Sequence, residues 1–346
     1  MSLIESEINQ QPQAIETLLA EEAENISRIA AAIRERNPSF ICIAARGTSD
    51  NAARYAQYLF GIRARLAVAL ATPSVHTLYQ QAPMLADALV IGISQSGQSE
   101  DVRRVLADAR DQGALTLSIT NDPNSPLAAS TAHHIYLHAG DERSVAATKT
   151  YTTELAAIAM LVGTLTDDQT FLDDLRGAPK LLSQTLETAQ QEIPNWAQRY
   201  RYIERYAVLG RGYNYATAFE ISLKIKELCY ITGEEYSEAD FRHGPIALVH
   251  PGYPVILIAA EGAVLAKQID LLHKLNERGA ECVVISNAEA TRPLATRYIA
   301  LPAAAPEWLT PLLAVVPGQV FAMHLAKERG LPLDAPRGLN KVTVTE

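Results

Sequence analysis

The stretch Leu89-Val90-Ile91-Gly92-Ile93-Ser94-Gln95-Ser96-Gly97-Gln98-Ser99-Glu100-Asp101 changes character in one step. A short apolar climb ends at Ile93, a run of hydroxyl and amide side chains follows, and Val102, Leu106 and Ala109 then recur at helical spacing. That pattern predicts a buried strand, a tight polar loop and the start of an amphipathic helix. Such a loop offers hydroxyls, a glycine that lets the backbone approach closely, and N–H groups at a helix N-terminus, which together suit an anion such as phosphate. The loop carries no Lys or Arg, and no GK[ST] follows it, so a single phosphate monoester fits better than a nucleotide polyphosphate. Taken alone, the same residues read equally well as an ordinary strand-to-helix turn with a capped helix.

On both sides of this stretch, strand and helix patterns alternate. Strands are expected at 40–45, 66–70, 89–93, 115–119 and 135–137, and again at 206–209, 255–259, 282–285 and 298–301. Helical periodicity covers 4–36 and runs from about residue 147 to 165. Strands alternating with helices predict an α/β fold of doubly wound, mostly parallel sheets. The expected segments are a helical lead (1–36), a first α/β domain (37–167), a helical bridge (168–205) interrupted by Pro179 and Pro194, a second α/β domain (206–333) and a C-terminal tail (334–346).

The second domain repeats the first. Arg46-Gly47 matches Arg211-Gly212 at an offset of 165, while Gly113-Ala114 matches Gly279-Ala280 and Ile119-Thr120-Asn121 matches Ile285-Ser286-Asn287, both at 166. Three punctuation points whose spacings agree to within one residue indicate an internal duplication. The copies differ where it matters: Ser94-Gln95-Ser96-Gly97 becomes Ala260-Glu261-Gly262-Ala263. The hydroxyls are gone and a carboxylate has appeared, so only the first copy is expected to bind phosphate through this loop.

The 346 residues are 48% hydrophobic and 20% charged, with a formal net charge of −9, enough apolar material for two sizeable cores. The acidic balance argues against general binding to nucleic acid or to an anionic membrane surface. Cys42, Cys229 and Cys282 lie far apart in apolar contexts, which predicts core thiols, with neither a disulfide framework nor metal-ligand spacing. With no secretory pattern and no uninterrupted apolar run of transmembrane length, a cytoplasmic protein is expected.

Three further stretches could carry chemistry. Glu220, Lys224 and Glu227 would share one helix face, either as working acid–base groups or as a solvated row of salt bridges. Phe241-Arg242-His243-Gly244-Pro245 places a histidine in a loop, where it could titrate in a cleft or simply satisfy the loop. Lys341 lies near the C-terminus, as a site residue or as an exposed tail lysine.

In chain order, RGTS, SQSGQSE, VAATK, SLKIKE, FRHGP and PRGLNKVTVTE together resemble the sugar isomerase (SIS) family. The nearest likeness within it is to the isomerase half of glucosamine-6-phosphate synthase and to its stand-alone relatives, and it spans nearly the whole chain. The resemblance implies two doubly wound, flavodoxin-like domains and a homodimer with a shared active site. It implies that Ser94, Gln95, Ser96 and Ser99 bind the substrate phosphate, with Thr48 and Ser49 lining the same site. Glu227 matches the carboxylate that moves the proton, with Lys224 beside it. His243 matches a ring-opening histidine donated across the dimer, and Lys341 a lysine that engages the open-chain sugar. Val145 matches a backbone contact to the sugar, and Ala147 stands where the synthase has serine. No metal or redox cofactor is implied. Because this chain begins Met1-Ser2-Leu3 and enters the first domain without a glutaminase, the expected reaction is deamination of glucosamine 6-phosphate to fructose 6-phosphate and ammonia. A deglycase or isomerase acting on fructosamine or galactosamine 6-phosphate, a glutaminase-lacking aminotransferase-like isomerase, and a phosphosugar sensor are the rival expectations.

Overall fold

Runs of Ile, Val, Leu and Ala that are inaccessible on both faces of a strand can form only where helices cover both sides of a parallel sheet. The computed structural model, described over residues 1–341, has two such sheets. The first is built from β1 (Phe40–Ala44), β2 (Val68–Leu70), β3 (Ala88–Ile93), β4 (Leu115–Thr120) and β5 (His133–Tyr136), in the order β2-β1-β3-β4-β5. The second is built from β6 (Arg205–Gly210), β7 (Thr232–Ser237), β8 (Pro254–Ile258), β9 (Glu281–Ser286) and β10 (Arg297–Ala300), in the order β10-β9-β8-β6-β7. Every recorded pairing is parallel. Taking β6 with β1, β7 with β2 and so on, the two orders are the same. β6 begins at 205 against 40 for β1, and β8 at 254 against 88 for β3, so the duplication read from punctuation is a duplication of topology.

β7 is absent from the sequence reading. Its sequence, Thr-Gly-Glu-Glu-Tyr-Ser, shows no apolar alternation, because it is an edge strand that pairs only with β6 and keeps most of its side chains half-exposed. The N-terminal helical stretch is three helices, Leu3–Asn9, Gln11–Glu21 and Ala23–Arg36, and the last ends at Asn37 in the left-handed conformation just before Pro38. Residues 168–205 contain the helices Gln169–Arg176 and Ala178–Glu192, followed by 3₁₀ turns; Pro179 sits in the first turn of its helix, where a missing N–H costs nothing.

The chain divides into two compact units. One comprises residues 13–142, 149–177 and 340–341; the other comprises 1–12, 143–148 and 178–339. In the first, the helix Glu100–Asp111 packs so tightly on β3 that a Cβ built on Gly92 would lie 2.9 Å from Leu106 Cδ2. In the second, the helix Tyr215–Cys229 lies against the helix Thr310–Glu328 at Gly318, where a Cβ would come within 2.3 Å of Ile221. Residues 307–328 are long and apolar enough to cross a membrane by length and composition, contrary to the reading of the sequence, but 94% of the apolar window is buried in the protein. They form the core helix of this unit.

All three cysteines are buried and free, and burial pushes the Cys42 thiol up to about 11 and Cys229 and Cys282 up to about 12. Since the thiolate is the reactive species, native protein should consume almost none of a chromogenic aromatic disulfide at pH 8 over minutes, and unfolded protein three equivalents. Fast reaction of one thiol in the native state would contradict this packing.

Candidate active site

In a sheet ordered β2-β1-β3-β4-β5, the chain winds in opposite senses from β1 and β3, leaving a crevice at their carboxyl ends where ligands bind in folds of this type. The loops after β1 and β3 are the ones carrying Thr48 and Ser49, and Ser94 through Ser99. The polar residues singled out in the first copy therefore meet at one topological switch point.

The 94–99 loop is held by its own polar groups. Gly97 N–H donates to the Ser94 carbonyl at 3.1 Å, and Gln98 N–H to Ser96 Oγ at 3.3 Å. The hydroxyls of Ser94 and Ser99 lie 3.4 Å apart. Gly97 adopts a φ of +62°, and a Cβ there would fall 2.2 Å from Ser125 Oγ, so the turn needs glycine twice over. Ser99 is the N-cap of the helix Glu100–Asp111 yet turns its hydroxyl toward Ser94, so the first turn of that helix lacks a side-chain cap. Gln95, Ser96 and Ser99 are half-buried and Ser94 is buried.

Two supports escaped the sequence reading. Arg46 Nε lies 2.5 Å from the wholly buried Asp101 carboxylate, tying the loop after β1 to the helix that follows the 94–99 loop. Asn121 donates its backbone N–H to the Gln95 carbonyl at 3.0 Å, donates its amide to the Gly140 carbonyl at 2.8 Å and accepts from Ala139 N–H at 3.0 Å. Their only sequence signal was their recurrence in the second copy, as Arg211 and Asn287. Ser49 is placed differently from its expected role, because its hydroxyl donates to the buried carboxylate of Glu154 at 2.8 Å. In this arrangement Ser49 orders the loop after β1, and the neighbouring Thr48 is half-exposed.

Lys341 belongs to the same unit and is anchored. Its ammonium is 3.1 Å from Glu142, a carboxylate that is fully buried and also accepts from the Thr150 N–H at 3.1 Å and the Thr150 hydroxyl at 2.6 Å.

In the other unit, the helix Tyr215–Cys229 carries the ionisable cluster. Lys224 is only 1% exposed; its ammonium lies 2.5 Å from Glu227 and 3.4 Å from Glu220, which is itself fully buried. A solvated row of salt bridges does not describe this cluster. A buried ammonium must be compensated at close range, and here two carboxylates do so. Glu227 is the partner that keeps a side-chain exposure of 21%. It can exchange a proton with a bound molecule while Glu220 holds Lys224 in place.

His243 lies in the loop after the short helix Glu238–Phe241, and the residue is exposed. That loop is fixed from beneath by Glu238, whose fully buried carboxylate receives Arg211 at 2.6 Å and also pairs with Arg242. Val145 and Ala147 are half-buried in the segment 143–148, which the Glu7 carboxylate fastens by accepting from the backbone N–H groups of Arg143 and Ser144.

The SIS domain pattern matches residues 36–163 and 201–329, one copy on each sheet. The glutamine–fructose-6-phosphate aminotransferase [isomerizing] of Thermus thermophilus is 32% identical over 98% of this chain, and the alignment takes in 58% of that enzyme. Its counterpart from Gloeobacter violaceus is 35% identical over 88% of this chain and 52% of its own length, so the chain spans little more than half of these curated relatives. Among solved structures, the C-terminal domain of the Francisella tularensis glucosamine-fructose-6-phosphate aminotransferase superposes with a TM-score of 0.88 at 26% identity, covering 97% of this chain and 98% of that one. A Silicibacter pomeroyi DSS-3 protein, provisionally assigned as a phosphosugar isomerase, superposes at 0.86 with 33% identity, covering 96% and 99%. With two matched copies over most of its length and the topology of each copy repeated strand for strand, this chain belongs to the SIS domain family.

Proposed function

We propose that this protein converts glucosamine 6-phosphate and water into fructose 6-phosphate and ammonia. The observation that carries the reading is the Glu220–Lys224–Glu227 cluster, a buried lysine clamped between two carboxylates of which one reaches solvent. A phosphosugar sensor has no use for a costly buried acid–base group of this kind. The substrate class is supported by the hydroxyl loop at the switch point and by the likeness to isomerising aminotransferases. Release of ammonia, rather than its uptake, is supported by the VAATK segment, where Ala147 replaces the synthase-type serine.

In this reading Ser94, Gln95, Ser96 and Ser99 bind the phosphate, together with Thr48. His243 assists ring opening. Glu227 takes the proton from C2 of the open-chain sugar and returns it to C1, so that the amine-bearing carbon becomes an imine at C2. Water adds to that imine and ammonia leaves. Lys224 orients Glu227 through the 2.5 Å contact, and Lys341 engages the open-chain sugar. Turnover in deuterium oxide follows the proton shuttle: the hydrogen gained at C1 of the fructose 6-phosphate comes from C2 where transfer outruns exchange of the Glu227 carboxyl with solvent, and from solvent where it does not, and Glu227→Gln protein should deliver neither. Hydrogen transfer to C1 at the wild-type rate in the Glu227→Gln protein would rule out Glu227 as the shuttle.

We also propose that the working form is a homodimer in which His243 serves the neighbouring copy's site. Its exposure in the single chain, on a loop held rigid by Arg211, Glu238 and Arg242, supports this. After subunit exchange, a mixture of His243→Ala and Glu227→Gln chains, each inactive alone, should regain roughly a quarter of wild-type activity, because half the dimers would hold one intact site. Demonstrated exchange with no recovered activity would overturn sharing.

A further inference from the structure

The second sheet has the same switch point, between β6 and β8, and the loop after β8 holds an anion of the protein's own. Glu307 lies at the start of the 3₁₀ turn that leads into the helix Thr310–Glu328. Its carboxylate accepts from the Ala263 backbone N–H at 2.9 Å, in the loop that replaces the hydroxyl loop. Ala263 corresponds to Gly97 and Gly262 to Ser96, both at the offset of 166. Gly262 has a φ of +150°, and a Cβ built on it would fall 2.2 Å from Glu307 Oε2, so the carboxylate takes the space that any side chain at 262 would need. Its other oxygen, Oε1, is 3.7 Å from the Cβ position of Gly212, the counterpart of Gly47 in the loop after the first strand. The rest of the frame is conserved between the copies: Asn287 accepts from Glu261 N–H at 2.8 Å and donates to the Ala305 carbonyl at 3.1 Å, as Asn121 donates to Gly140.

We infer that Glu307 is a built-in substitute for a phosphate group in the second copy, and that removing it opens a second site for a phosphate monoester. The inference rests on the proposed phosphate role of the 94–99 loop, since it assigns the same duty to the loop's degenerate copy. The carboxylate supplies the negative charge that the Ala263 N–H and the N-terminus of the helix Leu265–Glu277 favour. Because it is tethered, it excludes a free anion and leaves the protein with one phosphate per chain. Loss of the three serine-type side chains in that loop and gain of a glycine at 262 are then two halves of one change, exchanging a ligand site for an internal contact.

The test uses inorganic phosphate and glucosamine 6-phosphate, measured by titration calorimetry on the full chain. Wild-type protein should bind one equivalent, and the Ser94→Ala/Ser96→Ala double variant should lose it. Adding Glu307→Ala to that double variant should restore phosphate binding, roughly tenfold or more tighter than the double variant alone. Glu307→Gln, which keeps the side-chain volume and drops the charge, is the second variant; there phosphate displaces the neutral amide at higher concentration. Folded Glu307→Ala and Glu307→Gln proteins that gain no phosphate binding overturn the inference. Retention of the wild-type equivalent by the serine double variant would instead overturn the role of the first loop, and the number of equivalents bound by Glu307→Ala in the wild-type background would still report on Glu307.

Discussion

Glu227→Gln should lower kcat by about 10²–10⁴-fold, the usual cost of removing a general acid–base group, and leave KM for glucosamine 6-phosphate within a few-fold of wild type. The amide keeps the volume of the carboxylate and can still accept from the Lys224 ammonium, so the helix Tyr215–Cys229 has no reason to distort. Lys224 also keeps Glu220 at 3.4 Å, so the buried ammonium is not stranded. What the variant loses is the ability to take up a proton. Steady-state kinetics alongside a thermal melt separate the two effects: a large loss of kcat with an unchanged melting temperature is expected. Wild-type kcat in this variant would remove Glu227 from the reaction.

Ser96→Ala should act differently. A hydrogen bond to a charged ligand is worth about 1.5–3 kcal/mol, so kcat/KM should fall roughly 10- to 100-fold, with KM carrying most of the change. Binding energy from the non-reacting phosphate also holds the reacting carbons in position, so kcat should fall as well. The loop itself should survive, since Gly97 still donates to Ser94 and Asn121 still donates to the Gln95 carbonyl. The contrasting control is dephosphorylated glucosamine: wild type and Ser96→Ala should be equally poor with it. An unchanged KM for the phosphorylated sugar would exclude this loop as the phosphate site.

The sheets were legible because their central strands announce themselves. Val90, Ile91 and Ile93, or Ile256, Leu257 and Ile258, are inaccessible on both faces and must be apolar throughout. β7 was not legible, because an edge strand carrying Glu234 and Glu235 satisfies its backbone on one side only and needs no apolar face. The same limit governs the site. Loop chemistry is local, so Ser94 to Ser99 stood out in one dimension. The pairings that hold the loops are not local: Arg46 with Asp101, Ser49 with Glu154 and Lys341 with Glu142 join residues that no short-range pattern connects. Nor could spacing tell a buried Glu220–Lys224 pair from a solvated one, since the i,i+4 geometry is identical and only tertiary packing decides what covers it.

The central claim is most directly tested by incubating purified protein with glucosamine 6-phosphate alone and assaying ammonia and fructose 6-phosphate together, with fructosamine 6-phosphate and galactosamine 6-phosphate in parallel. The account predicts equimolar ammonia and fructose 6-phosphate from glucosamine 6-phosphate, without added glutamine, nucleotide or metal, and none from the Glu227→Gln protein. Binding of glucosamine 6-phosphate with no ammonia released, or ammonia released only from one of the other two sugars, would contradict it.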